Sequence, residues 1–149
     1  LLSQKNRIFR NKFINNIVPK KGLRDLLNNL RKDNYLLAVA SNSQTEEIET
    51  ILKNININHY FKEVISADLV KKGKPAPDIF LLAAEKLRVS PADCLVLEDS
   101  PNGVAAAKKA GMQCYAIPAE ETGRQDFSRA DRVLESLEEV YTCIKKELL

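Results

Sequence analysis

Cys94-Leu95-Val96-Leu97-Glu98-Asp99-Ser100-Pro101-Asn102-Gly103-Val104-Ala105-Ala106-Ala107-Lys108-Lys109-Ala110-Gly111-Met112 is the stretch whose reading decides the fold. Its first four residues form an unbroken apolar run of strand length. A run without alternation suits a strand covered on both faces, as in a parallel sheet. The run stops at two adjacent carboxylates. Pro101 then sits where proline is tolerated, in the first turn of a helix. That helix is expected to reach Ala110, with Gly111 at the usual C-terminal cap position. A buried strand, an acidic turn and a helix make up half of a β-α-β unit.

The same grammar extends in both directions. Downstream, Gln113 to Ile117 reads as a strand. A loop containing Gly123 follows, then a short strand near Arg132-Val133-Leu134. Ser136 caps a last helix through Glu147, with Leu137, Val140, Tyr141 and Ile144 facing inward. Upstream, Pro77 opens a helix to about Leu87. It is preceded by a loop from Asp68 rich in Lys, Gly and Pro, and by a short strand, Val64-Ile65-Ser66. Gln44 to Asn54 is a helix with Thr45 as its N-terminal cap. Before it, Tyr35-Leu36-Leu37-Ala38-Val39-Ala40 is a second continuous apolar run, ending in the turn Ser41-Asn42-Ser43. Gly22 to about Lys32 is a helix with Leu23, Leu26, Leu27 and Leu30 on one face. Leu1 to about Asn16 is another, ended by Pro19. Strands alternating with helices predict an α/β fold with a parallel sheet.

Bulk composition narrows the partners. With 23 basic and 20 acidic residues the net charge is +3, too mild to argue for nucleic acid or an anionic membrane. No apolar run approaches the ~20 residues of a membrane span. Three cysteines, Cys94, Cys114 and Cys143, show no CxxC spacing and are odd in number. Cys94 and Cys114 sit in apolar runs and read as small packed hydrophobes, and the set suits a reducing, cytoplasmic setting. A single histidine, His59, argues against a histidine-built zinc site.

In an open parallel sheet, ligands bind at the carboxyl ends of the strands. Ser41-Asn42-Ser43 offers a hydroxyl and free N–H groups where a helix begins, an anion site that otherwise reads as a helix cap. Glu98-Asp99 is costly at the end of a buried strand unless a cation binds it; magnesium takes such oxygen ligands. The ordinary alternative is a solvated turn. Lys74, placed stiffly between Gly73 and Pro75, can neutralise a phosphoryl group or simply be a loop lysine. Together, hydroxyl, lysine and acid pair are the inventory of phosphoryl transfer.

These residues resemble the haloacid-dehalogenase superfamily, in its β-phosphoglucomutase-like branch with a helical cap. Val39-Ala40-Ser41-Asn42-Ser43 is similar to that family's second motif, and Gly73-Lys74-Pro75-Ala76-Pro77-Asp78 to its third. Leu97-Glu98-Asp99-Ser100 through Gly111-Met112 is similar to its fourth. The resemblance covers the chain from Pro19 onward and implies a Rossmann-like core with helices on both faces over residues 19–149. Residues 1–18 resemble the end of the helical cap. By resemblance, Ser41 and the N–H of Asn42 bind phosphoryl oxygens, and Lys74 bridges phosphoryl group and nucleophile. Glu98 and Asp99 hold magnesium, Asp99 foremost. The reaction implied passes through an aspartyl-phosphate, with hydrolysis of a small sugar phosphate or similar monophosphate as its outcome.

The chain departs from the family at one point. The first motif, an Asp-x-Asp-Gly stretch that in the family lies on a central strand between those ending at Ser41 and Asp99, is absent. Asp25, Asp33, Asp68, Asp78, Asp93, Asp126 and Asp131 each stand in another context. The expectation is therefore a chain lacking the first strand and most of the cap, inactive alone, with an upstream segment as its partner. A sugar phosphomutase is the alternative enzyme. A truncated, non-catalytic binding or structural unit is the alternative of another class. A receiver-type phospho-signalling domain fails on motif order, because its acid pair comes early in the chain. A P-loop fails because Gly73-Lys74 lacks its upstream glycine and following Ser or Thr.

Overall fold

The computed structural model describes residues 19–119 and 125–147. The helix expected over 1–16, the cap assignment of 1–18 and the loop at Gly123 lie outside the described residues.

Among the described residues, five α-helices and five short strands follow one another, alternating except where β5 comes directly after β4. They are α1 (Leu23–Lys32), β1 (Ala38–Ser41), α2 (Thr45–Asn54), β2 (Glu63–Ser66) and α3 (Asp78–Leu87). Then come β3 (Leu95–Glu98), α4 (Pro101–Lys109), β4 (Gln113–Ala116), β5 (Arg132–Val133) and α5 (Val140–Glu147). Every strand pairing is parallel, as the alternation predicts. β1 lies beside β2, with Ser41 level with Ser66. β3 lies beside β4, with Glu98 level with Ala116, and β4 carries β5 on its other edge.

Side-chain parity separates two faces. Val96, Cys114 and Ala116 join a core with Ile79, Phe80, Ala83 and Ala84 of α3 and with Val104, Ala106 and Ala107 of α4. Leu95, Leu97, Tyr115 and Ile117 point the other way, toward Leu26 and Leu30 of α1 and Val140 of α5. Leu37, Val39 and Val64 meet Ile48 and Leu52 of α2 on that same face as α1. Helices therefore cover both faces of a doubly wound, Rossmann-like sheet. The three cysteines are free, and burial pushes the Cys114 thiol up to about 12, so it serves as packing.

The sheet is in two pieces. β1-β2 and β3-β4-β5 share no hydrogen bond, and β1 and β3 both line a cavity of about 760 Å³. In a strand, successive backbone groups point to alternate sides. The C=O of Leu37 accepts from Lys62 N–H on the β2 side, so Ala38 and Ala40 present theirs to the cavity. The carbonyls of Cys94 and Glu98 accept from Gln113 and Ile117, so Leu95 and Leu97 present theirs to it from the opposite wall. Two parallel edges thus face one slot, and among the described residues no strand fills it. This is the place where the resemblance expects the missing strand.

Two expectations need correction. The first strand was expected over Tyr35–Ala40 but begins at Ala38, and Tyr35 and Leu36 are 38% and 48% exposed. An apolar run marks burial potential, but here a strand forms only where β2 offers a partner. The helix expected from Gln44 begins at Thr45, and Gln44 rather than Thr45 occupies its cap position, without a side-chain bond. Asp68 from the neighbouring loop supplies the cap instead, accepting from Thr45 N–H at 3.0 Å. The Gly111 cap is as expected, with φ +77°.

Candidate active site

β1 ends at Ser41, half-buried at the carboxyl edge of the sheet. Its hydroxyl oxygen accepts the N–H of Ser43 at 3.1 Å, closing the turn. A hydroxyl that accepts in this way keeps its own proton for another acceptor. Thr45 and Ser66 hydroxyls meet at 2.5 Å just beyond, tying the turn to β2.

Lys74 reaches across the carboxyl end of the slot. Its ammonium donates to the carbonyl of Ala40 at 3.0 Å on one wall and to Glu98 Oε1 on the other. The ring of Phe80 lies beneath it, 4.9 Å from Nζ to the centroid, a favourable seat for a cation. The Lys74 and Glu98 side chains are only 12% and 7% exposed. An ammonium has three N–H donors, and two are taken by these partners.

Glu98 is held by its surroundings as much as Lys74 is. Its Oε2 accepts from Asp99 N–H and from the Ser100 hydroxyl, each at 3.2 Å. Ser100 in turn caps α4 by accepting from Gly103 N–H at 3.1 Å. The carboxylate lies so close over this first turn that a Cβ at Gly103 would overlap it. Glycine here is a steric requirement of the Glu98 position. Asp99, by contrast, is exposed at the mouth of the site.

Asn42 links the turn after β1 to the Lys74 loop. Its Oδ1 accepts from Lys74 N–H at 2.9 Å, and its Nδ2 donates to the Lys74 carbonyl at 3.3 Å. All five residues singled out in the sequence, Ser41, Asn42, Lys74, Glu98 and Asp99, therefore meet at one edge of the sheet. Phe80, the Asn42 side chain and the Ser100 cap were missed. The Ser100-x-x-Gly103 cap spacing ahead of a proline-led helix was a usable signal; nothing in the sequence marked the other two. Among the described residues no three His, Cys, Asp or Glu side chains cluster to hold a metal. Two adjacent carboxylates, one exposed, are what this chain brings, and they fit a cation that completes its shell with water and phosphate oxygens.

Residues 1–117 match the haloacid dehalogenase-like hydrolase family, and the chain belongs to it. It is 38% identical over 120 residues to the β-phosphoglucomutase of Bacillus subtilis, covering 78% of this chain and 52% of that protein. It is 45% identical over 81 residues to the fructose-1-phosphate phosphatase YqaB of Escherichia coli, covering 54% of this chain and 43% of that protein. Among solved structures, CbbY from Rhodobacter sphaeroides in complex with phosphate superposes with a TM-score of 0.77 at 34% identity. That superposition covers 81% of this chain and 55% of CbbY. The chain spans about half the length of these relatives.

Proposed function

We propose that this chain carries the phosphate-receiving half of a magnesium-dependent phosphoryl-transfer site, hydrolysing a small sugar phosphate or similar monophosphate. One observation carries the reading: the Lys74 ammonium spans from the end of β1 to Glu98 at the end of β3, with Ser41 on one side and Asp99 on the other. In this reading an extended segment bearing an aspartate lies in the slot between β1 and β3. Its carboxylate attacks phosphorus, the bond to the substrate's alcohol oxygen breaks, and that oxygen takes a proton. Water then attacks the aspartyl-phosphate, releasing phosphate and restoring the carboxylate.

The chain's own residues orient the group in flight. The Ser41 hydroxyl and Asn42 N–H donate to phosphoryl oxygens, and the remaining Lys74 N–H neutralises charge between phosphate and attacking carboxylate. Asp99, exposed and close to Glu98, is the main candidate ligand for magnesium. Glu98 is the second, once its bond to Lys74 loosens. The ion, when bound, supplies positive charge beside the transferring group. The free thiols suit a reducing compartment, and the reading places the protein in the cytoplasm. A small phosphorylated metabolite is the partner this inventory fits.

The test is phosphate release from a panel of sugar phosphates, with magnesium, by the chain completed with an aspartate-bearing strand. Lys74→Ala and Asp99→Ala should each lower kcat by on the order of 10²–10³, the usual loss when one charge-stabilising group is removed. Full activity in either variant rejects the assignment. The β-phosphoglucomutase relative favours a mutase as the second reading. Incubation with a hexose 1-phosphate separates the two: free phosphate marks hydrolysis, and hexose 6-phosphate marks the mutase.

A further inference from the structure

We infer that the side chain of Asn42 is a positioning residue for Lys74, clasping its backbone so that the ammonium is delivered to the slot; this rests on the site reading above. The clasp has two points. The Lys74 N–H and C=O are both engaged by one amide, at 2.9 and 3.3 Å, across 32 positions of sequence. Only a side chain with an acceptor and a donor in one plane satisfies both groups; a carboxylate offers no donor. The loop is shaped to admit it. A Cβ at Gly73 would stand 2.6 Å from Asn42 Oδ1, closer than any real contact.

The consequence is mechanical. Lysine has a long flexible stem, and a loop lysine ordinarily leaves its ammonium in solvent. Here the backbone is pinned by Asn42, while the far end of the side chain is pinned by Ala40 and Glu98. The clasp also joins the turn after β1 to the Lys74 loop. The N–H donors of that turn and the lysine cation then move as one unit. Asn42 thus has two separable parts: a backbone N–H toward the phosphoryl group, and a side chain that acts only through Lys74.

Two measurements separate this role from a merely structural one. Exchange of the Lys74 amide proton, followed by NMR, should accelerate about tenfold or more in Asn42→Ala, since its acceptor is gone. Asn42→Asp, which keeps an acceptor, should restore most of that protection. Affinity for inorganic phosphate should fall about tenfold in Asn42→Ala, yet change less than about twofold when Lys74 is already alanine, because coupled residues are not additive. Gly73→Ala should reproduce the Asn42→Ala exchange behaviour. Unchanged Lys74 amide exchange in Asn42→Ala overturns the inference. So does an equal loss of phosphate affinity in both backgrounds. If Lys74→Ala alone leaves phosphate affinity intact, the site reading fails, and the exchange measurement still decides the clasp. Equal thermal melting of Asn42→Ala and the parent excludes global unfolding as the cause of faster exchange.

Discussion

Lys74 and Glu98 are each other's condition. A largely buried ion pair offers little net stability, but removing one member strands the other and costs about 3–5 kcal/mol. Lys74→Met should therefore destabilise the chain by roughly that amount in urea unfolding. The double variant Lys74→Met, Glu98→Gln should recover most of the loss. A single variant as stable as the parent would mean that water reaches Glu98 freely. The neighbouring residues explain why the pair is retained: Ala40, Phe80, Ser100 and the N–H of Asp99 satisfy what the two charges leave over. The pair sits at the mouth of a slot with one Lys74 N–H still to be used, and so is poised for a third charge.

At the scale of elements, the open edges of β1 and β3 make a sharp statement about individual amides. Val39 and Val96 point their N–H groups into the ladders with β2 and β4, whereas Ala38, Ala40, Leu95 and Leu97 point theirs into the slot. Amide exchange should alternate accordingly, slow at Val39 and Val96 and faster at the other four. Uniform protection along β1 would show the slot to be filled. A second inter-element contact carries a pH signature. Asp33, just after α1, accepts from the Tyr141 hydroxyl at 2.6 Å and from Lys145 at 2.9 Å, both on α5. The Tyr141 bond first, and then Lys145, hold the Asp33 carboxyl below its ordinary value of 3.8. A carboxyl whose folded value is depressed stabilises the fold above its unfolded value, and that contribution is lost as pH falls through the folded one. Thermal melting should decline below about pH 4 by a margin that Asp33→Asn reduces. Tyr141 moves the opposite way, raised above its ordinary value of 10.0 chiefly by its bond to Asp33, so its contribution is lost only as pH rises through that raised value. An acid limb identical in Asp33→Asn would remove this contact from the list of stabilising ones.

Over the whole molecule, the decisive feature is the cavity of about 760 Å³ dividing the sheet. The cavity is open to solvent, and unpaired strand edges template pairing with another chain. An apolar segment long enough to match the four-residue strands on either side, entering parallel to them, would bury both edges at once. A peptide of that kind should stabilise the chain by about 2.7 kcal/mol at a concentration one hundred times its Kd, read as a rise in Tm. It should also slow exchange at Ala38, Ala40, Leu95 and Leu97. No change in either at millimolar peptide would leave the slot without this occupant.

The elements and their order were legible in the sequence because they are written in local signals. Apolar runs of strand length, Pro101 and Gly111 around α4, and the leucine spacing of α1 need no tertiary partner to be recognised. The candidate set Ser41, Asn42, Lys74, Glu98 and Asp99 came from two polar strand ends, at Ser41 and at Glu98-Asp99, together with the resemblance of the Lys74 loop to a family motif. The start of β1 was not legible, since Tyr35 and Leu36 are as apolar as the residues that follow and differ only in lacking a neighbour. The contacts within the site were not legible either. That Lys74 pairs with Glu98 rather than standing free, that Gly73 and Gly103 admit the Asn42 amide and the Glu98 carboxylate, and that Asp68 caps α2 all depend on distances between segments far apart in the chain. Local propensity and periodicity determined the class of fold, and motif order with the family resemblance supplied the candidate residues of the site. Packing alone decided which charge meets which, because contact distance and burial are properties of the assembled sheet.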